Sequence, residues 1–333
     1  MAKTIVLTGD ALAKKLWEEA LFRDTLKESY FERFMGTGSD SLCQVKTDLI
    51  KEKGDKITFG IRMRLTGTGV ISGQTLEGNE EKLTTYNFGV SLERYRNAVR
   101  DAGSLDRQRP IYDMDAEARD AIKGWGTEKI DQLCFDAITL SPTKIFYGGA
   151  ATTIGSGGGA ITAADVITPS LISKIKAYAK TGGNRTYIPL RPIKIKGKNY
   201  YVLLTHPEVV YDLSQDAAWA QAAREALPRG EDNPIFSGAD YLWDGVLIHS
   251  NEKIPLASTW GAGTVHGAKS VFMGAQCLCW AWGERPSVVS EEFDYQEEHG
   301  FAWRITSGVA KPVFDSKDFG SFGVYVACTD VTA

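Results

Sequence analysis

The 333-residue chain sets 38 Lys and Arg against 42 Asp and Glu, a formal net charge of −4, with 43% hydrophobic and 24% charged residues. That balance supports a sizeable soluble core and excludes a protein whose main task is gripping phosphate backbone, since such work needs a basic excess. Five cysteines at unrelated spacings (Cys43, Cys134, Cys277, Cys279, Cys328) fit reduced thiols in a reducing compartment better than a disulfide framework. The first ten residues turn polar too early for a secretory signal. The most apolar stretch, Val271 to Trp282, falls short of the roughly 18 to 20 residues that span a bilayer, so no membrane association is expected.

In chain order, Leu12, Leu16, Trp17, Ala20, Leu21, Leu26, Tyr30, Phe31 and Phe34 recur at three- and four-residue spacings, predicting an amphipathic helical arm over Asp10 to Met35. Asp10 suits its amino-terminal cap and Gly36 its stop. Its aromatic end, Tyr30-Phe31-Glu32-Arg33-Phe34, needs a large surface to dock on. Lys56 to Leu65 then alternates apolar odd positions with polar even ones, and Tyr86, Phe88, Val90 and Leu92 answer with the same period. Together they predict a long hairpin within Cys43 to Leu92, with a Gly-rich polar tip. Two strands alone are marginal in water, so the hairpin's apolar side needs the body of the chain or a neighbouring copy.

Pro110 opens a predicted helix to Ile138, roughly 40 Å long at 1.5 Å per residue. Gly124 and Gly126 inside it each cost about 1 kcal/mol relative to Ala, which points to close packing at that turn. Six glycines within Gly148 to Gly159 predict a flexible loop or domain boundary. Helices follow over Pro169 to Thr181, Glu208 to Leu213 and Asp216 to Leu227. Strands are predicted at Lys198 to Leu204, Gly245 to His249, Ser270 to Trp282 and Phe301 to Ile305. Strands and helices mixed without a βαβ rhythm indicate an α+β class.

No motif licenses chemistry. The run Gly155-Ser156-Gly157-Gly158-Gly159 lacks the Gly-Lys-Ser/Thr ending of a phosphate loop. Cys277 and Cys279 should share one face of a strand, but no His or Cys nearby in sequence completes a zinc set. His206, His249, His266 and His299 have no metal-site spacing, and only folding could cluster them. Asp113, Asp115, Glu117 and Asp120 read as the solvated first turns of a helix, where the dipole favours acids. No catalytic, cofactor or metal residues are therefore assigned. Arg62 and Arg64 line the polar face of one hairpin strand and Glu77, Glu80 and Glu81 cluster just past the tip; they are either ordinary solvated surfaces or candidates for opposite-sign contacts between copies.

The ordered series Tyr30-Phe31-Glu32-Arg33-Phe34-Met35-Gly36, Gln44-Val45-Lys46-Thr47-Asp48-Leu49, Lys51-Glu52-Lys53-Gly54-Asp55-Lys56-Ile57-Thr58-Phe59 and Leu76-Glu77-Gly78-Asn79-Glu80-Glu81 resembles the major capsid proteins of tailed bacteriophages, most closely the coliphage N-four type. Weaker segments at Tyr201 to Pro207, Gly274 to Gln276 and Phe319-Gly320 continue the likeness. The resemblance implies the α+β capsid fold shared with the herpesvirus shell floor. Its parts would be an amino-terminal arm (1–42), an extended loop (43–95), a peripheral domain (96–165 and 286–318) with spine helix 110–138, and an axial domain (166–285 and 319–333). It implies a non-enzymatic protein without cofactors that forms homopentamers and homohexamers in the host bacterial cytoplasm and ends in the virion shell around double-stranded DNA, held without sequence-specific contacts. The implied partners are further copies, a separate scaffolding protein, a portal and a cement protein. Tyr30, Phe31 and Phe34 of the arm join Arg62, Arg64, Glu77, Glu80 and Glu81 as expected intersubunit contacts. The alternatives are an encapsulin-like nanocompartment of the same fold and, from other classes, a β-rich hydrolase with a carboxylate pair or a monomeric binding module.

Overall fold

The computed structural model describes residues 29–47, 54–63, 65, 67–103, 114–185, 188–195, 197–226 and 241–331. Most of the predicted arm helix lies outside these residues. Its last turn is a 3-10 turn over Glu32–Phe34. Then come β1 (Met35–Gly36), β2 (Cys43–Lys46), the hairpin strands β3 (Lys56–Arg62) and β4 (Thr85–Ser91), β5 (Glu93–Arg100), α1 (Met114–Thr139) and β6 (Ile145–Tyr147). Next are α2 (Pro169–Arg185), β7 (Ile193–Ile195), β8 (Lys198–Thr205), α3 (Pro207–Gln215), α4 (Ala217–Ala226), β9 (Tyr241–Trp243) and β10 (Val246–Ser250). The chain closes with β11 (Leu256–Trp260), β12 (Val265–Met273), β13 (Leu278–Phe293), β14 (Glu298–Ala310), β15 (Val313–Phe314), β16 (Lys317–Asp318) and β17 (Ser321–Ala327).

Two sheets organise these elements. The first has five strands in the order β1-β2-β13-β14-β5, and the second runs β6-β17-β12-β8-β10-β9, with β11 on β12 and β7 on β8. The α+β reading is therefore met, with strands far apart in sequence brought side by side. One expected strand, Ser270 to Trp282, is in fact two in different sheets. Gln276 takes a left-handed φ of 59°, and the amides of Gly274, Ala275 and Gln276 donate to Gly320, Arg191 and Ser41 at 2.8, 2.7 and 2.8 Å. A continuous apolar run hides such a turn, because both strands are buried and neither alternates.

The five-stranded sheet is covered on both faces. On one side α1 lays Ile122, Ile130, Cys134, Phe135 and Ile138 against Trp280, Trp303 and Ile305, all close to fully buried. On the other the β3–β4 hairpin sets Ile57, Phe59 and Val90 against Cys279 and Ala281. Gly308 permits this second layer: a Cβ there would stand 2.1 Å from the Ser91 carbonyl oxygen. Cys277 falls in the first layer and Cys279 in the second, so the shared face expected of them is corrected. The left-handed Gln276 turns Cys277 away before β13 begins.

The predicted close packing in α1 holds for one of its two glycines. A Cβ on Gly126 would sit 2.8 Å from the Trp303 indole, whereas one on Gly124 meets nothing within 4 Å. Gly126→Ala is therefore expected to cost about 1–3 kcal/mol by overpacking, offset in part by helix propensity. Gly124→Ala should stabilise by about 0.5–1 kcal/mol. Urea midpoints of the two variants check this; equal shifts would contradict it.

The second core packs Ile172, Ile175 and Ala179 of α2 and Val209 and Leu213 of α3 on Leu203, Phe272, Phe322 and Val324 of the larger sheet. The Gly148 to Gly159 segment, expected as a flexible loop or domain boundary, is tied into this part of the molecule. Gly148 N–H donates to Tyr325 O (3.1 Å), Thr152 N–H to Gly159 O (2.8 Å) and Ile161 N–H to Thr153 O (2.9 Å). Small residues suit it because bare backbones can approach each other closely. At the junction of the two parts, Lys311 Nζ donates to Asp318 Oδ2 (2.9 Å) and to the Leu140 and Ser141 carbonyls (2.7 and 3.3 Å), and both side chains are buried.

Candidate assembly surface

The hairpin is the clearest projecting feature. β3 and β4 pair antiparallel from Lys56↔Ser91 to Arg62↔Thr85, as their alternation predicts. Of the two surfaces expected for its apolar side, the body of the chain serves the base, where Ile57, Phe59 and Val90 rest on β13. Lys46 reinforces this contact, with Nζ 4.6 Å from the Phe59 ring centre and donating to Thr58 O. Beyond Arg62 the situation reverses. Leu65, Ile71, Leu76 and Leu83 are 55%, 77%, 61% and 54% exposed. Four large apolar side chains are therefore exposed on the connection between β3 and β4.

The charged candidates sit on that distal part. Arg62, Glu77, Glu80 and Glu81 are exposed, and Arg64 lies outside the described residues. Two of the acids also shape the loop: the Glu81 carboxylate accepts from Gly67 N–H at 2.6 Å and Glu80 from Gly78 N–H at 2.8 Å. Their charge is thus presented on a loop closed by its own hydrogen bonds.

The aromatic candidates from the arm are placed elsewhere. Phe31 is 1% exposed, packed edge-on against Phe135 of α1 at 5.0 Å, and Tyr30 stacks on the same ring at 5.8 Å. Phe34 meets His249 edge-on at 5.3 Å. The buried Asp131 carboxylate fixes the segment, accepting from Ser29 Oγ (2.6 Å), Tyr30 N–H (3.0 Å) and Phe31 N–H (3.3 Å). The large surface this aromatic segment requires is α1 of the same chain, and Phe31 has no face left for a neighbour.

Burial pushes the His249 imidazole down from its ordinary 6.5 to about 4, with the Arg33 charge adding to the effect. In that window the unfolded chain binds a proton that the folded chain does not, so stability is present above pH 6.5 and is lost as pH falls toward 4. The full shift corresponds to about 3 kcal/mol. Urea midpoints should fall across this range, and His249→Gln should flatten that part of the profile; an unchanged slope would contradict the assignment.

Strand β5 was not foreseen. It forms one edge of the five-stranded sheet, and Arg94, Arg96 and Arg100 are exposed along it. Arg94 pairs with Glu284 at 3.2 Å and Arg100 with Glu298. Charged edge residues discourage unplanned strand pairing. The period-two spacing of Arg94 and Arg96 was the available signal. Beside Arg100, the turn that joins β13 to β14 puts Asp294, Tyr295 and Gln296 at left-handed φ and leaves Tyr295 fully exposed. Among the described residues no helix is long and apolar enough to cross a membrane.

The hairpin base is packed on the five-stranded sheet while its connecting loop is exposed. The sequence model of a family described as phage capsid protein matches residues 5–139 and 141–329. The chain belongs to the phage capsid protein family. This family is structural rather than enzymatic, so its working residues are those of contact. The capsid chain is 28% identical to the major capsid protein of Pseudomonas phage KPP25, over 94% of its own length and 95% of the relative's. Among solved structures it is similar to the capsid of Ralstonia phage GP4, with a TM-score of 0.79, 27% identity and 99% of each chain covered. The cyanophage Pam1 capsid shares the fold, with a TM-score of 0.78 at 21% identity over 91% of this chain and 93% of that one.

Proposed function

We propose that this chain is the major capsid protein of a tailed bacteriophage, that it forms pentamers and hexamers, and that these close an icosahedral shell around double-stranded DNA. The observation that carries the reading is the likeness to the Ralstonia phage GP4 capsid along the whole of both chains. The finer affinity to the coliphage N-four type remains part of the proposal, resting on the arm and hairpin motifs quoted above.

In this reading the five-stranded sheet with α1 is the peripheral domain and the larger sheet with α2 and α3 is the axial domain. For this reading we draw the first crossing near 140–144 rather than 165 and the second near 274–277 rather than 285, a choice supported by the pairing of β6 in the larger sheet and of β13 in the smaller. The extended loop is then the hairpin after Lys46, whose base stands on its own subunit while its tip reaches a neighbour. Leu65, Ile71, Leu76 and Leu83 supply apolar burial there, and Arg62, Glu77, Glu80 and Glu81 set register by opposite charge. The pairing of Arg94 and Arg100 with acids and the net charge of −4 suit a wall that holds packaged DNA without gripping it.

Scaffolding, portal and cement proteins are the proposed partners, with assembly in the host cytoplasm. Expressing the chain alone and together with its neighbouring genes tests this by sedimentation and negative-stain microscopy. Uniform closed shells are expected only in the second case. Uniform shells from the chain alone would remove the separate scaffold, and no shells in either would contradict the capsid reading.

A further inference from the structure

Away from the hairpin, folding gathers residues that the sequence scatters. Glu208 lies in the first turn of α3, His266 near the start of β12, and Cys328 directly after β17. Their ligating atoms all lie within 4.8 Å of one another. His266 Nε2 is 2.7 Å from Glu208 Oε2, the Cys328 thiol donates to the same oxygen at 3.6 Å, and His206 Nδ1 is 3.8 Å from it. Glu208 and Cys328 are buried and the two imidazoles are largely so.

A tetrahedral zinc ion with sulfur at about 2.3 Å and nitrogen or oxygen at about 2.0–2.2 Å separates neighbouring ligand atoms by roughly 3.3–3.8 Å. The Glu208–Cys328 spacing already matches, whereas His206 Nδ1 is taken up by the Glu208 N–H that it caps. The Glu208–His266 contact needs to open by roughly 0.6 Å, within the reach of a carboxylate rotation. We propose that Glu208, His266 and Cys328 form a binding site for a soft divalent cation of the zinc class, with His206 flanking its fourth position.

The donor set argues for that class. Thiolate and imidazole select zinc over calcium or magnesium, which take oxygen ligands. Binding ionises the Cys328 thiol and releases its proton to solvent. The ligands come from a helix, an internal strand and the end of the last strand, so the ion would clip the carboxyl-terminal segment to the body. Two hydrogen bonds already hold that segment: Cys328 N–H to His266 O (3.0 Å) and Thr329 N–H to Asp212 Oδ2 (2.8 Å). Each ligand alone has a simpler reading, with His206 capping α3 and both His266 and the Cys328 thiol hydrogen-bonded to Glu208; what points to a cation is the convergence of all three donor types within 4.8 Å.

The test uses the full-length chain, as soluble subunits or as shells, stripped by a chelator and titrated with cobalt(II) and then zinc. Expected are one metal per chain and a thiolate-to-cobalt charge-transfer band that zinc abolishes. C328S should remove the band, and H266Q should weaken zinc binding by more than about tenfold. Stripped wild-type chain that takes up no cobalt would overturn the site whatever the variants do, leaving a hydrogen-bonded cluster only. A band that persists in C328S would overturn it too, by moving the thiolate to another cysteine. Neither result bears on shell formation, which is read separately.

Discussion

Replacing residues 64–83 by an Asn-Gly turn is expected to leave a folded, soluble subunit that no longer closes into shells. The site of the cut follows from the register. Arg62 faces Thr85 and Met63 N–H donates to Thr84 O at 2.9 Å, so residues 63 and 84 can be joined by a two-residue turn whose twist suits antiparallel strands. Ile57, Phe59 and Val90 stay seated on β13. Shortening the connection from twenty residues to two lowers loop-closure entropy, so the subunit should be as stable as before or more stable by up to about 2 kcal/mol. The loss is confined to assembly because the exposed Leu65, Ile71, Leu76 and Leu83 go with the tip. Normal shells from this variant, by negative-stain microscopy, would show that the tip is dispensable.

Lys311→Met is expected to have the largest effect on stability of any single change discussed. It removes the countercharge of Asp318, which is 1% exposed, leaving its Oδ2 only the Thr143 N–H at 2.8 Å, together with the donor to two carbonyls at the end of α1. An uncompensated buried carboxylate costs about 3–5 kcal/mol, enough to unfold many domains of ordinary stability. Adding Asp318→Asn should recover a good part of the loss, because the buried charge is then gone as well. Denaturant midpoints of the two variants decide it. A loss under about 1 kcal/mol for Lys311→Met would mean that water reaches Asp318 and solvates it.

The hairpin strands were legible because one side of each is buried and the other wet, which writes a period of two into Lys56 to Arg62 and Thr85 to Ser91. The ribbon formed by β13 and β14 carries a weaker signal. Its outer half carries residues such as Glu284, Arg285, Glu291 and Glu292, and nothing in their polarity distinguishes a paired strand from a loop. β5 was missed for a related cause, since as an exposed edge strand it has little apolar alternation to betray it.

At the level of contacts the limits are sharper. Tyr30, Phe31 and Phe34 announce that they need a surface, but nothing local says whose. Asp131 and Phe135, about a hundred residues away, supply it from the same chain. His206, His266 and Cys328 were individually unremarkable, because only the sheet order of β8, β12 and β17 brings their neighbourhoods together.

The most direct test of the central claim is an electron cryomicroscopy reconstruction of particles purified from cells making this chain with its neighbouring genes. Icosahedral shells are predicted in which the tip, residues 65–83, lies on an adjacent subunit, with Leu65, Ile71, Leu76 and Leu83 covered there while Ile57, Phe59 and Val90 remain on β13 of their own subunit. A tip exposed to solvent on every subunit, or a preparation that contains only monomers, would contradict the account.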